Sequence, residues 1–246
     1  MNNTILITGA SGKIGFEITK ELINKNFNVI GTFSKKKIRF KKKFLGQKIY
    51  VKKFNQSNLN DIKQMIKFIN KEKLNLKGVV NCAVLRPMKK GSKDTLINWE
   101  KSIKINSNAI YLLNDHFCKF FKKKRFGRII NIGSIYSSIG PDFNLYKNEN
   151  FELEPDYIYN KFGMIGLTKY FAAKYGKENV TVNTISPGGV RANQSKSFIN
   201  KYSKKTFLKR MANKNEIFGL VEYILSDKSS YLTGQNIILD GGYTSN

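Results

Sequence analysis

The chain has 246 residues, of which 41% are hydrophobic, and it carries a formal net charge of +27. This length suits one α/β domain over residues 1–246 better than two domains, and no stretch of the composition marks a linker or a disordered tail. The longest apolar runs are far shorter than the roughly 20 residues that cross a bilayer, so we expect no membrane partner.

The positive charge is large enough to attract nucleic acid, acidic carrier proteins, anionic lipid or phosphorylated metabolites. Lysine, asparagine and isoleucine are abundant along the whole chain, however, and we interpret most of the lysines as solvated surface residues. We therefore expect no nucleic-acid partner.

Cys82 and Cys118 are the only cysteines. They are too few for a disulfide framework and lack the spacing of metal ligands, which favours reduced thiols and a cytoplasmic location. The single histidine, His116, lies among aromatic residues in a helical pattern and is interpreted as a packed or surface side chain. We expect no metal site.

Strand-like and helix-like segments alternate along the chain. Short runs rich in β-branched residues predict strands at Thr4–Thr8, Asn28–Phe33, Ile49–Phe54, Gly78–Val84, Arg128–Gly133, Thr181–Ser186 and Asn236–Asp240. Apolar residues at helical spacing predict a first helix from Ile14 and further helices at Leu59–Lys73, Ile97–Lys122, Asp156–Tyr175 and Glu216–Ser226. Alternation of this kind predicts an α/β fold, a doubly wound parallel sheet with helices on both faces.

Three glycines, Gly9, Gly12 and Gly15, lie between the first strand and the first helix. Residues without a β-carbon permit a tight turn and a close backbone approach, and the helix start offers free N–H groups to a pyrophosphate. This pattern predicts a dinucleotide-binding turn in a Rossmann-type fold. The predicted turn consists of Thr8, Gly9, Ser11, Gly12, Lys13, Ile14 and Gly15.

The end of the second strand indicates which cofactor is preferred. An acidic residue there would bind the adenosine 2′-hydroxyl and repel a 2′-phosphate, but this chain has Ser34 and Lys35 instead. With Lys13 in the adjoining turn, these residues favour NADP(H), and NAD(H) stays open because the lysines also fit the general basic surplus.

Tyr157 and Lys161 form a Tyr-x-x-x-Lys motif with Ser134 upstream. Together with the glycine turn, this motif resembles the short-chain dehydrogenase/reductase family, and the resemblance runs nearly end to end. It implies an NAD(P)-dependent enzyme, and it implies further cofactor contacts from Asn55, Gln56, Asn81, Cys82, Ala83, Tyr157, Lys161, Pro187, Gly188, Gly189 and Val190.

The resemblance also implies four catalytic roles. Tyr157 would exchange a proton with the substrate oxygen, Ser134 would hydrogen-bond that oxygen, and Asn106 would hold a water of the proton relay. Lys161 would hold the nicotinamide ribose and lower the pKa of Tyr157. The residues support this independently, because positions 157 and 161 share one helix face and a nearby cation moves a phenol pKa down from about 10.

The chain departs from the family pattern in several places. Cys82 and Val84 replace an asparagine and a glycine beside the adenosine, and Asn55-Gln56 stands where many relatives carry an aspartate. The largest departure is an insert (residues 140–154) between Ser134 and Tyr157 with five acidic or tyrosine side chains. We expect the insert, as a substrate loop of about residues 140–155, to form part of the substrate wall and its carboxylates to contact sugar hydroxyls or an amine, although an ordinary surface loop is the alternative.

The insert and its flanking strands resemble a bacterial subgroup that accompanies the synthesis of nonulosonic and other surface-glycan sugars. This resemblance implies a small-molecule substrate, a sugar or sugar phosphate. One alternative is a 3-oxoacyl-acyl-carrier-protein reductase, favoured by the segment 31–34 and by a basic rim that suits an acidic carrier. A non-catalytic cofactor-binding regulator is the other, since fold does not fix function. The family resemblance further implies a homo-oligomer, a dimer or tetramer that pairs the two longest helices.

Overall fold

The computed structural model describes residues 3–35, 48–91 and 95–245. Its strands form a parallel seven-stranded sheet in the order β3-β2-β1-β4-β5-β6-β7. The strands are β1 Thr4–Thr8, β2 Asn28–Phe33, β3 Ile49–Lys53, β4 Leu76–Asn81, β5 Gly127–Ile132, β6 Val180–Pro187 and β7 Asn236–Leu239. This is the doubly wound α/β fold that the sequence predicted.

Helices cover both faces of the sheet. They are α1 Lys13–Asn24, α2 Leu59–Lys71, α3 Thr95–Ser102, α4 Ala109–Lys124, α5 Pro155–Tyr175, α6 Lys196–Lys204 and α7 Glu216–Leu225. One hydrophobic core joins the sheet to α2, α4 and α5, and a second joins its other face to α1 and α7. Among the described residues, no helix is both long and apolar enough to span a bilayer.

The central strand β1 shows how the sequence produces two cores. All five of its side chains are buried, as expected for a parallel strand covered on both faces. Because successive side chains of a strand point to opposite faces, Leu6 packs in the first core while Ile5 and Ile7 pack in the second. The strand order reverses beside β1, which leaves a crevice at the carboxyl ends of β1 and β4.

The predicted helix Ile97–Lys122 is divided in the structure. A π-helical segment, Ile103–Asn108, separates α3 from α4. The Gln56 side chain, from outside this segment, donates to Ile105 O at 2.9 Å. The side-chain amide of Asn106 forms hydrogen bonds with the backbone of Leu85. Side chains that insert into a helix in this way disturb its regular hydrogen bonding, a feature that apolar spacing does not reveal.

Two further elements differ from the prediction. β4 ends at Asn81 rather than Val84, because Cys82 N and Ala83 N donate to Thr8 Oγ1 and leave the strand ladder. Helix α6 was not predicted at all. Its start carries a recognisable signal, since the Ser195 side chain caps the helix by accepting from Phe198 N at 3.0 Å.

Candidate active site

The turn after β1 has the geometry of a dinucleotide-binding turn. Gly9 has φ +67°, and a β-carbon on it would lie 2.6 Å from Ala83 Cα. A β-carbon on Gly15 would lie 2.4 Å from Gly9 O. Only glycine fits at either position, so the backbone of the turn stays open to a close approach by a pyrophosphate.

Helix α1 begins directly in this turn and has no competing anion. Its N-cap residue is Gly12, no side chain caps the helix, and its first turn contains no acidic residue. The first N–H groups of a helix have no partner inside the helix and carry partial positive charge. The start of α1 is therefore available to a phosphate group, with Ser11 and Lys13 exposed beside it and Ile14 partly buried.

Thr8 and Cys82 shape the floor of the turn. Thr8 is buried, and its hydroxyl accepts from Cys82 N at 3.1 Å and from Ala83 N at 3.2 Å. Burial raises the pKa of the Cys82 thiol to about 11, against the opposing effect of the Lys161 cation. Cys82 therefore stays protonated near neutral pH and supplies packing rather than a nucleophile.

A cleft of about 910 Å³ opens beside the turn, a volume suited to a cofactor. It brings together nine of the predicted cofactor residues, namely Gly9, Ser11, Gly12, Ser34, Lys35, Asn55, Gln56, Cys82 and Ala83. Lys52 and Lys53 at the end of β3, which were not among the predicted residues, also line the cleft. Their signal is their position at the carboxyl end of a strand, but the abundance of lysine along the whole chain hides it.

Asn55 and Gln56 differ in the hydrogen bonds that they form at this cleft. Asn55 Oδ1 accepts from the Ser57 hydroxyl at 2.8 Å, while Gln56 Nε2 donates to Ala83 O at 3.3 Å and to Ile105 O at 2.9 Å. Gln56 Oε1 is buried and has no partner within the described residues. Gln56 thus connects the cleft floor to the π-helical segment, and it retains one free acceptor.

Tyr157 and Lys161 lie near the carboxyl end of β5, two residues before Ser134. Lys161 is buried, and its Nζ donates to Ile132 O at 2.6 Å. The same Nζ lies 5.6 Å from the centroid of the Tyr157 ring. The Ser134 hydroxyl accepts from Tyr136 N at 3.3 Å. The structure therefore places a cation, a phenol and a hydroxyl at one strand end.

Asn106 is fixed by the segment that follows β4. Its Nδ2 donates to Leu85 O at 2.7 Å and to Ser102 Oγ at 3.0 Å, and its Oδ1 accepts from Leu85 N at 2.9 Å. Both amide hydrogens are therefore engaged by the protein. Asn81 has a structural place too, since its Nδ2 donates to Asn131 Oδ1 at 2.8 Å inside the core.

The segment after β6 is held on both sides. Gly188 N donates to Leu239 O at 2.9 Å, and Gly189 N donates to the Tyr202 hydroxyl at 2.5 Å. Val190 forms an isolated parallel bridge with Ala212. Together with Pro187 at the end of β6, these contacts fix the predicted residues 187–190 at the carboxyl edge of the sheet.

The insert (residues 140–154) folds over an aromatic cluster. Tyr146 and Phe151 of the insert pack against Phe198 of α6, with ring centroids 5.6 and 5.3 Å away. Tyr157 is packed against the same cluster. Buried members of the cluster are Ile135, Tyr136, Leu145, Tyr146, Leu153, Phe198, Tyr202, Met211 and Tyr243.

Most acidic side chains of the insert have protein partners. Asp142 pairs with Lys205 at 2.6 Å, and the Ser195 hydroxyl donates to Glu149 Oε1 at 2.6 Å. Glu152 lies 3.8 Å from Lys90. These contacts fasten the insert to α6 and to the segment after β4, a role that the sequence did not suggest.

Arg86, which follows β4, was not among the predicted site residues either. Its guanidinium Cζ lies 4.7 Å from the centroid of the Tyr157 ring. The only signal was a basic residue shortly after a strand end, where ligands bind in open α/β sheets. Among the described residues, no group of three or more His, Cys, Asp or Glu side chains is arranged to hold a metal ion.

Comparison with known proteins agrees with this geometry. Residues 9–244 match the model of a family described as "Enoyl-(Acyl carrier protein) reductase". The chain is 28% identical to post-translational flagellin modification protein A of Campylobacter coli, with 98% of each chain covered. It is 29% identical to the 3-oxoacyl-(acyl-carrier-protein) reductase FabG of Buchnera aphidicola, over 97% of this chain and 96% of that protein.

A solved structure gives the same result. The short chain dehydrogenase of Leptospira borgpetersenii with bound NAD+ is 30% identical and superposes with a TM-score of 0.87, over 99% of this chain and 93% of that one. The similarity therefore extends over the sheet, the glycine turn and the region of the insert together.

Proposed function

Because the chain belongs to the short-chain dehydrogenase/reductase family, we propose that this oxidoreductase interconverts a secondary alcohol and a ketone at Tyr157. The observation that carries the proposal is the position of Lys161, which lies beside the Tyr157 ring and binds the last carbonyl of β5, two residues before Ser134. A bound nicotinamide supplies or accepts the hydride in such a reaction. The protein must then hold the substrate oxygen and move one proton.

Tyr157 is the proton donor and acceptor of the proposed reaction. A free phenol has a pKa of about 10, too high for efficient proton exchange near neutrality. Lys161 lies one helical turn after Tyr157, with its Nζ 5.6 Å from the centroid of the Tyr157 ring, and so supplies a positive charge beside the phenol. Lys161 is in turn oriented by its bond to Ile132 O and retains donors for a cofactor ribose.

Ser134 and Asn106 complete the proposed machinery. The Ser134 hydroxyl is free to donate to the substrate oxygen while its oxygen accepts from Tyr136 N. Asn106 is proposed to serve the proton relay from a fixed position. Since its amide hydrogens are bound to Leu85 and Ser102, the group left to hold a relay water is the main chain of the π-helical segment.

The residues present fit a dinucleotide. The uncapped start of α1 accommodates the pyrophosphate, Gly9 and Gly15 leave room for it, and Gln56 Oε1 offers a free acceptor at the cleft. We propose a preference for NADP(H), because Lys35, Lys52 and Lys53 line the adenosine end of the cleft. A binding titration that compares NADPH with NADH, repeated on Lys35→Glu, tests this preference.

The proposed substrate is a sugar or sugar phosphate of surface-glycan synthesis. Its support is the likeness to the Campylobacter flagellin modification protein, together with an insert that walls the site. The likeness to FabG supports the alternative of an acyl-carrier-protein thioester. A regulator that binds the cofactor without turnover is the third candidate, and the presence of Tyr157, Lys161 and Ser134 speaks against it.

One screen separates these candidates. Oxidation of hexose phosphates and nucleotide sugars is measured with NAD(P)+ and, in parallel, reduction of an acetoacetyl thioester is measured with NAD(P)H. Tyr157→Phe is expected to lower kcat at least about 100-fold while cofactor binding persists, since general acid–base catalysis contributes this much. Undiminished turnover by Tyr157→Phe would exclude the mechanism, and absence of turnover with every class would favour the regulator.

We further propose a homo-oligomer in the cytoplasm. Helices α4 and α5 expose a set of aromatic side chains, consisting of Tyr111, Tyr159, Phe162 and Tyr170. Exposed apolar surface of this kind suits an interface between copies. Light scattering on the wild type and on Phe162→Lys, with Tyr231→Lys as the control on another surface, tests the assembly.

A further inference from the structure

The exposed side chain of Arg86 lies over the ring of the proposed catalytic tyrosine. Its guanidinium Cζ is 4.7 Å from the Tyr157 ring centroid, and the Lys161 Nζ is 5.6 Å from the same centroid. Lys161 is buried and bound to a main-chain carbonyl, whereas Arg86 is exposed. An exposed guanidinium thus lies in contact with the ring of the proposed catalytic tyrosine.

The hydrogen-bonding capacity of Arg86 is largely unused. A guanidinium has five N–H donors, but within the described residues this one makes a single hydrogen bond, to Glu152 O at 3.5 Å, and no ion pair. Arg210 shows the contrast, since it binds both carboxylate oxygens of Glu216 at 2.6 and 2.7 Å. Arg86 is thus held by stacking and one long hydrogen bond, with its remaining donors free.

Among the described residues, no acidic side chain of the insert forms an ion pair with Arg86. Glu149 accepts from Ser195, and Glu152 directs its carboxylate toward Lys90. Glu154 remains: burial and the charges of Glu152 and Asp156 raise its pKa, and the nearby charge of Arg86 opposes this rise. Glu154 therefore lies within electrostatic range of Arg86 but forms no ion pair with it.

We propose that Arg86 binds an oxyanionic group of the substrate, a carboxylate or a phosphate, and thereby selects anionic hydroxy or oxo compounds. A planar guanidinium matches either oxyanion with two parallel hydrogen bonds. Because the group stacks on Tyr157, the anion must lie only a few bonds from the reacting carbon. The inference rests on the proposed role of Tyr157 and adds the substrate class to it.

The test measures ligand binding to the cofactor-loaded protein by calorimetry, with matched pairs of probes. Acetoacetate is compared with methyl acetoacetate, and glucose 6-phosphate with glucose. In at least one pair the anionic member is expected to bind about 10-fold more tightly, which is about 1.4 kcal/mol. The pair that shows the preference identifies the anion as carboxylate or phosphate.

Variants assign this preference to Arg86. Arg86→Met keeps an unbranched side chain that packs in a similar way. It is expected to lower the affinity for the anionic probe to the affinity for its neutral counterpart. Arg86→Lys is expected to recover part of the preference, as a point charge without the planar fork. Lys89→Met removes an exposed charge from the same segment and is expected to leave the preference for the anionic probe unchanged.

Two results would overturn the inference: equal binding of both members of each pair by the wild type, or an anion preference that survives in Arg86→Met. The outcome is distinct from that of the proposed function, which depends on turnover. Tyr157→Phe is expected to retain the anion preference while it loses activity. If Tyr157→Phe keeps full activity and the preference still depends on Arg86, the mechanism at Tyr157 fails, and Arg86 stands as an anion-binding residue without its link to that mechanism.

Discussion

The turn after β1 and the insert before α5 lie at the same edge of the sheet, yet they are constrained by different means. The turn depends on backbone that approaches other backbone, as where a β-carbon on Gly9 would meet Ala83 Cα. The insert depends on large side chains from separate segments, with Tyr146 and Phe151 packed on Phe198 of α6. We therefore expect the turn to be sensitive to an added β-carbon and the insert to be sensitive to the removal of a packed side chain.

The largest expected effect is on the turn. Gly15→Ala places a β-carbon 2.4 Å from Gly9 O, so the turn must open and its N–H groups lose their alignment. We expect the dissociation constant of NADPH to rise at least about 100-fold, equivalent to about 2.7 kcal/mol. Fluorescence titration measures the affinity, and circular dichroism verifies that the variant folds.

Gly219→Ala is the matched control for this substitution. Gly219 is exposed in α7, where an added β-carbon meets no atom within 4 Å. The control should leave cofactor binding unchanged and stabilise the helix by up to about 1 kcal/mol. If Gly15→Ala folds and binds NADPH as tightly as the control does, NADPH binding does not depend on the close backbone approach at Gly15.

This difference also explains how much could be predicted from sequence. The strands, the turn at Gly9 to Gly15 and the Tyr157–Lys161 pair follow from local rules of spacing and backbone geometry. The role of Arg86 and the partners of the acidic insert depend on contacts between segments far apart in the chain, such as Arg86 with Tyr157 or Asp142 with Lys205. No local pattern encodes these contacts.

The π-helical segment also depends on contacts between segments that are far apart in the chain. Apolar spacing predicted one helix over Ile97–Lys122, but the segment Ile103–Asn108 is shaped by Gln56 and by the backbone of Leu85. Gln56 lies 49 positions from its partner Ile105. The sequence shows that Gln56 is polar and that Ile105 lies in a helical pattern, but it does not show that the two residues are in contact.

An intermediate effect is expected in the insert. Phe198→Ala removes a buried ring from the aromatic cluster, and truncations of this kind cost about 3–5 kcal/mol in well-packed sites. We expect the amides of residues 140–154 to exchange hydrogen faster, whereas the NADPH affinity changes less than about twofold. Hydrogen exchange with mass spectrometry measures the first quantity and titration the second.

Phe207→Ala provides the control with the same chemical change. Phe207 is 57% exposed, so its truncation removes little buried surface. Its exchange pattern over residues 140–154 should match the wild type. A large loss of NADPH affinity in Phe198→Ala would contradict the separation between the two regions, because it would show that the aromatic cluster also supports the turn.

The smallest expected effect concerns the hydroxyl pair within the aromatic cluster, where Tyr136 and Tyr146 lie 3.1 Å apart. Tyr146→Phe removes this bond at an expected cost of about 1 kcal/mol. Burial raises the pKa of Tyr146 to about 12, above the value of 10.0 that we take for the unfolded chain. Because the fold favours the neutral phenol, this contribution to stability is present below pH 10 and is lost as the pH rises toward 12. Urea unfolding at pH 8 and pH 11 should therefore show wild type losing more stability than Tyr146→Phe, and equal losses would mean that the phenol of Tyr146 is not sequestered from water.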